Sequence, residues 1–174
     1  LDPILGPEMK STGEAIGIGS TVEQAMAKAF GWKEDCLKAL HEQDTIFLSL
    51  AKIDEKLQEQ LNAIKTTIEA DEETAALLTE HGIQVNTITK LEEAEQKCLD
   101  EKYAFIADTH RTGEKDQHVS LREAALRSDT LHFTANDTLS AYIAATRTEL
   151  ESPKSIQNHR SNKFDLNKKE RAMP

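Results

Sequence analysis

The sequence is poor in residues that mark several protein classes. Only 5% of its 174 residues are aromatic, four are proline and two are cysteine. Cys36 and Cys98 fit no metal-ligand or redox spacing, so we expect two reduced thiols in a cytosolic protein. No apolar run approaches the roughly 20 residues that span a bilayer, and no signal peptide is visible. These absences predict a cytoplasmic protein without a membrane segment.

Positive charge is also scarce. Lys and Arg number 21 against 31 Asp and Glu, which gives a net charge of −10. Phosphate backbones and anionic membranes select clustered Lys and Arg, so neither a nucleic acid nor a membrane is expected as a partner. The 38% of hydrophobic residues suffices for one core. The chain begins at Leu1 within what reads as ordered sequence, and we expect an excised fragment.

Composition divides the chain into three predicted zones. Residues 1–32 hold five of the seven glycines and end in a short helix, for which Ser20 and Glu23 have capping-box spacing. About ten apolar helical positions cannot form a core alone, so this zone is expected to pack on something upstream. Residues 33–150 form the folded domain. Residues 151–174 are polar and predict a mostly disordered tail.

The folded zone alternates short apolar or β-branched runs with helical periodicity. Strands are predicted over residues 45–51, 66–70, 84–89, 103–107 and 130–134. Helices are predicted over residues 57–64, 72–81, 91–101, 121–129 and 137–149, the last one capped by Asn136 or Asp137. This order predicts an α/β fold with a doubly wound, mostly parallel five-stranded sheet and helices on both faces. Ligands of such sheets bind at the carboxyl ends of the strands.

One segment carries a family resemblance. The string GPEMKSTGE, from Gly6 to Glu14, resembles the end of the second ATP-grasp half in the carbamoyl phosphate synthase large subunit. In that family the segment leads into a carboxy-terminal domain of the methylglyoxal synthase-like type. The resemblance implies that residues 1–32 end the synthetase half and that residues 33–150 are the regulatory domain.

The resemblance also implies a parent enzyme. It is a ligase that makes carbamoyl phosphate from bicarbonate, glutamine-derived ammonia and ATP for arginine and pyrimidine synthesis. ATP with Mg or Mn serves the parent, while the fragment is expected to hold no cofactor and to be non-catalytic. The implied partners are the remainder of the large subunit, a glutaminase small subunit, a nucleotide effector such as UMP, and further copies in a homo-oligomer.

The implied effector site is altered in this sequence. In the family the loop after the second strand reads Ala-Thr-X-Gly-Thr and cradles a phosphate at a helix N-terminus. Here Thr74 keeps the second Thr, but Asp71 replaces the first Thr and Glu73 replaces the Gly. Two like charges 4 Å apart repel by about 4 kcal/mol at an effective dielectric of about 20. We therefore expect a degenerate pocket and a self-capped helix.

Other positions of the implied pocket are mixed. Ser49, Lys90 and Thr109 match residue types of the family, whereas Asp108 stands for an Asn and His110 for a hydroxyl residue. The alternatives for Lys90 are a phosphate contact or a solvated strand end. A second anion site after the fourth strand, or simply a surface loop, is open for residues 110–113.

Less favoured functions also remain open. Asp71, Asp108 and His110 have side chains that suit Zn²⁺ or Mn²⁺, but their spacing is not diagnostic and no metal is expected. The other five histidines are predicted to be structural or surface residues. A scaffold without any ligand is one alternative to a regulatory domain. A methylglyoxal synthase-type lyase is another, and the acidic loop disfavours it because its substrate is a phosphate ester.

Overall fold

The computed structural model describes residues 16–30, 37, 40–110 and 117–149. Within these residues five strands form one parallel sheet in the order β3-β2-β1-β4-β5. The strands are β1 (Thr45–Ser49), β2 (Thr67–Ala70), β3 (Thr87–Ile88), β4 (Phe105–Asp108) and β5 (Leu131–Phe133). The helices are α1 (Val22–Phe30), α2 (Glu55–Asn62), α3 (Glu72–Glu80), α4 (Leu91–Leu99), α5 (Gln117–Arg127) and α6 (Asn136–Thr146). The predicted doubly wound α/β fold is confirmed.

The alternation of side chains along the strands builds two cores. Ile46 and Leu48 of β1 pack toward α2, α3 and α6, whereas Phe47 packs toward α4 and α5. Because both faces of the central strands are covered, β1 and β4 consist almost entirely of buried residues. The core on the α6 side includes a cluster of three aromatic rings from Phe105, Phe133 and Tyr142.

The topology places a switch point between β1 and β4. From β1 the chain moves outward to β2 and β3, and then returns through α4 to β4 on the other side. Helices therefore leave the carboxyl ends of β1 and β4 on opposite faces of the sheet. Ligands of doubly wound sheets bind in the crevice that this divergence opens.

Several predicted boundaries are wrong by a few residues. β3 was predicted over residues 84–89 but pairs only at Thr87 and Ile88. The side chain of Asn86 accepts a hydrogen bond from the Ile68 amide (2.8 Å), so a side chain replaces the strand ladder there. α5 begins at Gln117 rather than at the predicted Leu121. The prediction started too late because the first turn of the helix is mostly polar and shows no apolar periodicity.

Two predicted helix caps are also wrong. α6 is preceded by Ala135, which gives no side-chain cap. Asn136 instead donates to the carbonyl of Lys52 (3.0 Å), and Asp137 accepts from the next amide. At α1 the amide of Gln24 donates to the hydroxyl of Thr21 (3.3 Å), one residue later than the predicted Ser20 and Glu23 pair.

Helix α1 packs on the same domain. Ala27 is fully buried, and the ring of Phe30 meets that of Tyr142 edge-on with centroids 5.5 Å apart. This face of α1 is therefore buried within the domain, while Ile16 and Val22 are exposed, and packing of residues 1–32 on something upstream stays a prediction. The Gly6–Glu14 string, Cys36, residues 111–113 and the tail lie outside the described residues. No helix in the described part of the chain has the length and apolar character needed to cross a bilayer.

Candidate functional site

The carboxyl ends of β1 and β4 meet at the switch point. Ser49 and Asp108 are register partners, and both are buried. Thr109 continues the contact: its amide donates to the Ser49 carbonyl (3.0 Å), and its hydroxyl accepts from the Ala51 amide (3.1 Å). Three of the predicted pocket residues are thus brought to one point.

The N-terminus of α3 joins the same point through its own side chains. Asp71 caps the helix, since its Oδ1 accepts from the Thr74 amide (2.8 Å) and its Oδ2 from the Thr74 hydroxyl (2.9 Å). The fully buried Thr74 hydroxyl in turn accepts from the Leu50 amide (2.8 Å). Two donors at this helix end, the amide and the hydroxyl of Thr74, are therefore occupied by the Asp71 carboxylate.

Asp108 is held by an ion pair inside the protein. Nε of Arg122 donates to Oδ2 of Asp108 (2.8 Å), and both side chains are at most 5% exposed. Nη2 of Arg122 also donates to the carbonyls of Asp108 (3.2 Å) and His110 (2.6 Å). One guanidinium on α5 therefore neutralises the carboxylate and fixes the chain as it leaves β4.

Two histidines lie next to this ion pair. Nδ1 of His118 lies 3.1 Å from Oδ1 of Asp108, which is an ion-pair distance when the imidazole is protonated. The rings of His110 and His118 stack with centroids 4.6 Å apart. The amide of His110 also donates to Oδ1 of Asp108 (3.2 Å). Within the described residues, no group of three or more His, Cys, Asp or Glu side chains is placed to hold a metal ion.

Lys90 lies away from this cluster. It precedes α4 at the end of β3, the edge strand, is exposed, and makes no side-chain cap. Strands are about 4.8 Å apart, so three steps separate β3 from β4 by about 14 Å. Lys90 is therefore far from Asp108, but β3 pairs directly with β2, so it lies one strand from the loop at Asp71, and its phosphate contact stays a prediction.

An open cleft of about 650 Å³ borders the cluster on the α6 side. Its lining includes Lys52, Asp54, Thr109 and Asp137. Two carboxylates against one ammonium give this cleft a negative balance, which disfavours a phosphate.

A second polar network lies on the α4 face of the sheet. Oε2 of Glu69 accepts from Tyr103 (2.8 Å), Thr89 (2.9 Å) and Lys97 (3.0 Å). Burial pushes the pKa of Glu69 upward, but these hydrogen bonds outweigh it and leave the pKa below its usual value. Burial and the Glu69 carboxylate both raise the pKa of Tyr103, which therefore stays a phenol and donates.

Sequence reasoning missed Arg122, His118 and Glu69. Arg122 follows Leu121 and precedes Ala124 and Ala125 on a buried helix face. A lone Arg among inward apolar positions is the signal that would have indicated a buried partner, since an Arg is almost never fully buried unless paired. His118 had been assigned to the structural or surface class, and nothing local in the sequence connects it with Asp108.

Comparison with known proteins gives one consistent result. No family model matches the chain. It is 31% identical over 157 residues to the carbamoyl phosphate synthase large chain of Clostridium botulinum strain Loch Maree, a match covering 84% of this chain and 14% of that protein. The corresponding values are 30% over 167 residues (90% and 15%) for the large chain of Vibrio cholerae and 32% over 145 residues (77% and 13%) for that of Neisseria meningitidis. The chain thus spans about one seventh of these relatives.

Proposed function

We propose that this chain, which belongs to the carbamoyl phosphate synthase large-chain family, forms a regulatory domain at the carboxyl end of such a large chain and has lost its affinity for phosphorylated effectors. The parent would be the ligase that joins bicarbonate, glutamine-derived ammonia and ATP, with a glutaminase subunit as partner. The observation that carries the proposal is the capping of α3 by Asp71.

The Asp71 carboxylate accepts hydrogen bonds that a phosphate would otherwise accept. Two oxygens of Asp71 take both the amide and the hydroxyl of Thr74, which are the kind of donors a phosphate would use at a helix N-terminus. A bound phosphate would have to displace this carboxylate and approach Glu72 and Glu73 in the first turn. A charge pair 4 Å apart repels by about 4 kcal/mol at an effective dielectric of about 20, and less for the exposed Glu72 and Glu73, against the roughly 8 kcal/mol that micromolar affinity represents.

On the β4 side of the crevice, the charged groups are likewise paired within the protein. Asp108 brings a further negative charge, but Arg122 neutralises it within the fold and is itself buried. The Nε and Nη2 groups of the guanidinium donate hydrogen bonds to Asp108 and to the His110 carbonyl. The cation at this wall is therefore committed to the protein, which supports a domain whose nucleotide response is weak or lost.

Isothermal titration of the 174-residue chain with UMP tests the proposal. We expect no binding tighter than about 1 mM, equivalent to about 4 kcal/mol. The double substitution Asp71→Thr with Glu73→Gly restores the family loop pattern and should improve affinity at least tenfold. Asp54→Thr is a matched control, because Asp54 caps α2 in the same way and accepts from the Leu57 amide at 2.8 Å.

Each outcome of the titration has a distinct meaning. Micromolar binding of UMP by the unaltered chain would contradict a lost effector site. No gain in the double variant would favour a scaffold domain that binds no effector. A comparable gain in the Asp54→Thr control would show that removal of charge alone, rather than the α3 loop, determines the affinity.

A further inference from the structure

The chain that leaves β4 is held against α5 by a cluster of ionisable side chains. Asp108 and Arg122 form its buried centre, and the rings of His110 and His118 stack beside this ion pair. The loss of a phosphate site involves Asp108 and Arg122, but it needs neither imidazole ring. The stacked histidines are therefore two titratable groups to which that function assigns no part.

His118 is the ring that contacts the carboxylate. Its Nδ1 lies 3.1 Å from Oδ1 of Asp108, and its side chain is 15% exposed. A positive charge on this ring is attracted to Asp108. It is opposed by the N-terminal end of the α5 dipole, because His118 lies in the first turn of that helix, and by Arg122 on the other carboxylate oxygen. Asp108 is thus shared between one permanent cation and one that forms only at lower pH.

His110 joins the cluster through its backbone as well as its ring. Its amide donates to Oδ1 of Asp108 (3.2 Å), and its carbonyl accepts from Nη2 of Arg122 (2.6 Å). Its ring lies on that of His118, with centroids 4.6 Å apart and an angle of 28° between the planes. Two neutral rings, or one neutral and one charged ring, stack favourably, whereas two imidazolium rings at this distance repel each other. The stack therefore accommodates one added proton and not two.

A further histidine, His132 on β5, faces the same ion pair. It is the register partner of Ile106, two residues before Asp108 and on the same face of the sheet. Burial and the charge of Arg122 lower the pKa of His132, although Asp108 opposes this shift. His132 therefore gains its proton at a lower pH than an ordinary histidine, and it adds no charge to the cluster near neutral pH.

The backbone that this cluster holds forms one side of the switch-point crevice. Thr109 lies between Asp108 and His110, its amide donates to the Ser49 carbonyl (3.0 Å), and its hydroxyl accepts from the Ala51 amide (3.1 Å). A displacement of His110 therefore acts on the contact between the ends of β1 and β4. A change of charge on the α5 face of the sheet is in this way transmitted to the crevice.

We propose that the stack of His110 on His118 is a pH-sensitive latch on the chain that leaves β4. With at most one ring protonated, the stack holds this chain on α5. When both rings are protonated, they separate and the contact between Thr109 and Ala51 weakens, because two imidazolium rings and Arg122 then surround the carboxylate of Asp108. Histidines gain their charge between about pH 8 and pH 5, so the latch opens as the pH falls.

An NMR titration of the 174-residue chain from about pH 8 to about pH 5 tests the latch. We expect the ring signals of His110 and His118 to titrate in two steps at least about one pH unit apart, a tenfold difference in proton affinity, because the two charges repel each other. The amides of Ala51 and Thr109 should shift with the step at lower pH. A single common step for both rings, or amides that do not shift with the lower step, would overturn the proposal.

The substitution His110→Gln provides the second measurement, because glutamine keeps the backbone groups of this residue and gains no charge at any pH. This variant should retain the titration of His118 but lose the low-pH shift of the Ala51 and Thr109 amides. His41→Gln replaces an exposed histidine that precedes β1, and as the matched control it should leave both steps and both amide shifts unchanged. A low-pH shift of the two amides that survives in His110→Gln would assign the shift to another group and contradict the latch.

Discussion

At the scale of single residues, Asp108 occupies a position where a charge is stable only with a partner. It is 1% exposed, at the end of a strand covered on both faces. Arg122 supplies the opposite charge and three hydrogen bonds, which satisfy the carboxylate and two carbonyls together. Removal of one member of a buried pair leaves the other charge uncompensated, and this is the costly event.

We therefore predict that Arg122→Met lowers the free energy of unfolding by about 3–5 kcal/mol. Arg127→Met on the same helix is the control, because its side chain is 73% exposed and its ion pair with Glu123 is long, at 3.7 Å. Urea unfolding followed by circular dichroism measures both, and the control should change by no more than about 0.5 kcal/mol. Equal losses in the two variants would show that the pair with Asp108 is not what stabilises this end of β4.

Glu69 gives a prediction about pH. Its pKa is lower in the folded protein than in the unfolded chain, so the unfolded state binds more protons near pH 4 and stability rises with pH there. The contribution is present above the unfolded pKa of about 4.3 and is lost as the pH falls through the folded value. Glu69→Gln should thus be less stable than the parent at pH 6, with a gap that narrows below about pH 4.

Urea midpoints measured from pH 3 to pH 7 test this dependence. The exposed Glu59→Gln on α2 serves as the reference substitution. A stability gap for Glu69→Gln that stays constant over the whole range would mean that the hydrogen bonds from Tyr103 and Thr89, rather than the charge on Glu69, account for its contribution.

At the scale of elements, local patterns determine where most of the strands and helices lie. The apolar runs that form β1 and β4 and the helical spacing of Leu57 and Leu61 lead to the observed α/β order without tertiary information. Errors occur where a side chain makes a long-range contact instead of a local one. Asn136 reaches Lys52 across the sheet edge instead of capping α6, and no local pattern encodes such a contact.

The candidate site divides in the same way. The acidic cap of α3 could be predicted, because Asp71 and Thr74 have N-cap spacing and lie at a strand end. The partner of Asp108 could not, since Arg122 is 14 residues away and the two meet only when α5 packs on β4. Lys90 was included because its residue type matched; the strand order places it beside β2 and three strands from Asp108, and its phosphate contact stays a prediction.

Three helix ends allow a prediction on backbone conformation. Gly82 follows α3 with φ 73°, and Glu101 and Asp129 have similar positive values. Gly82→Ala should destabilise the protein by about 1 kcal/mol, even though a Cβ there would meet no atom within 4 Å. Glu101→Gly and Asp129→Gly should each raise the free energy of unfolding by up to about 1 kcal/mol.

Thermal unfolding of the three variants is the measurement. Because the steric environment of Gly82 is open, any loss on Gly82→Ala reports the backbone and not a clash. Destabilisation by both glycine substitutions would indicate that the side chains of Glu101 and Asp129 contribute more to stability than the strained backbone conformation removes.

At the scale of the whole molecule, the carboxyl ends of the strands carry an unusual set of charges. Helix N-termini converge on the carboxyl ends of the strands, an arrangement that normally favours anions. Here Asp54 and Asp71 cap two of those helices, and Asp137 lies in the first turn of a third. The end of the sheet that would bind a phosphate therefore has carboxylates of its own, consistent with a net charge of −10.

The amides at the start of α3 report most directly on whether this edge still accepts a nucleotide. The test is a series of ¹H–¹⁵N NMR spectra of the 174-residue chain during a titration with UMP, followed at Leu50, Glu73 and Thr74. Because Asp71 already holds the Thr74 amide and hydroxyl, we expect no saturable shift of these signals at concentrations up to about 1 mM. A saturable shift with a micromolar midpoint, centred on Thr74, would contradict the claim that the protein's own carboxylate has taken the place of the phosphate.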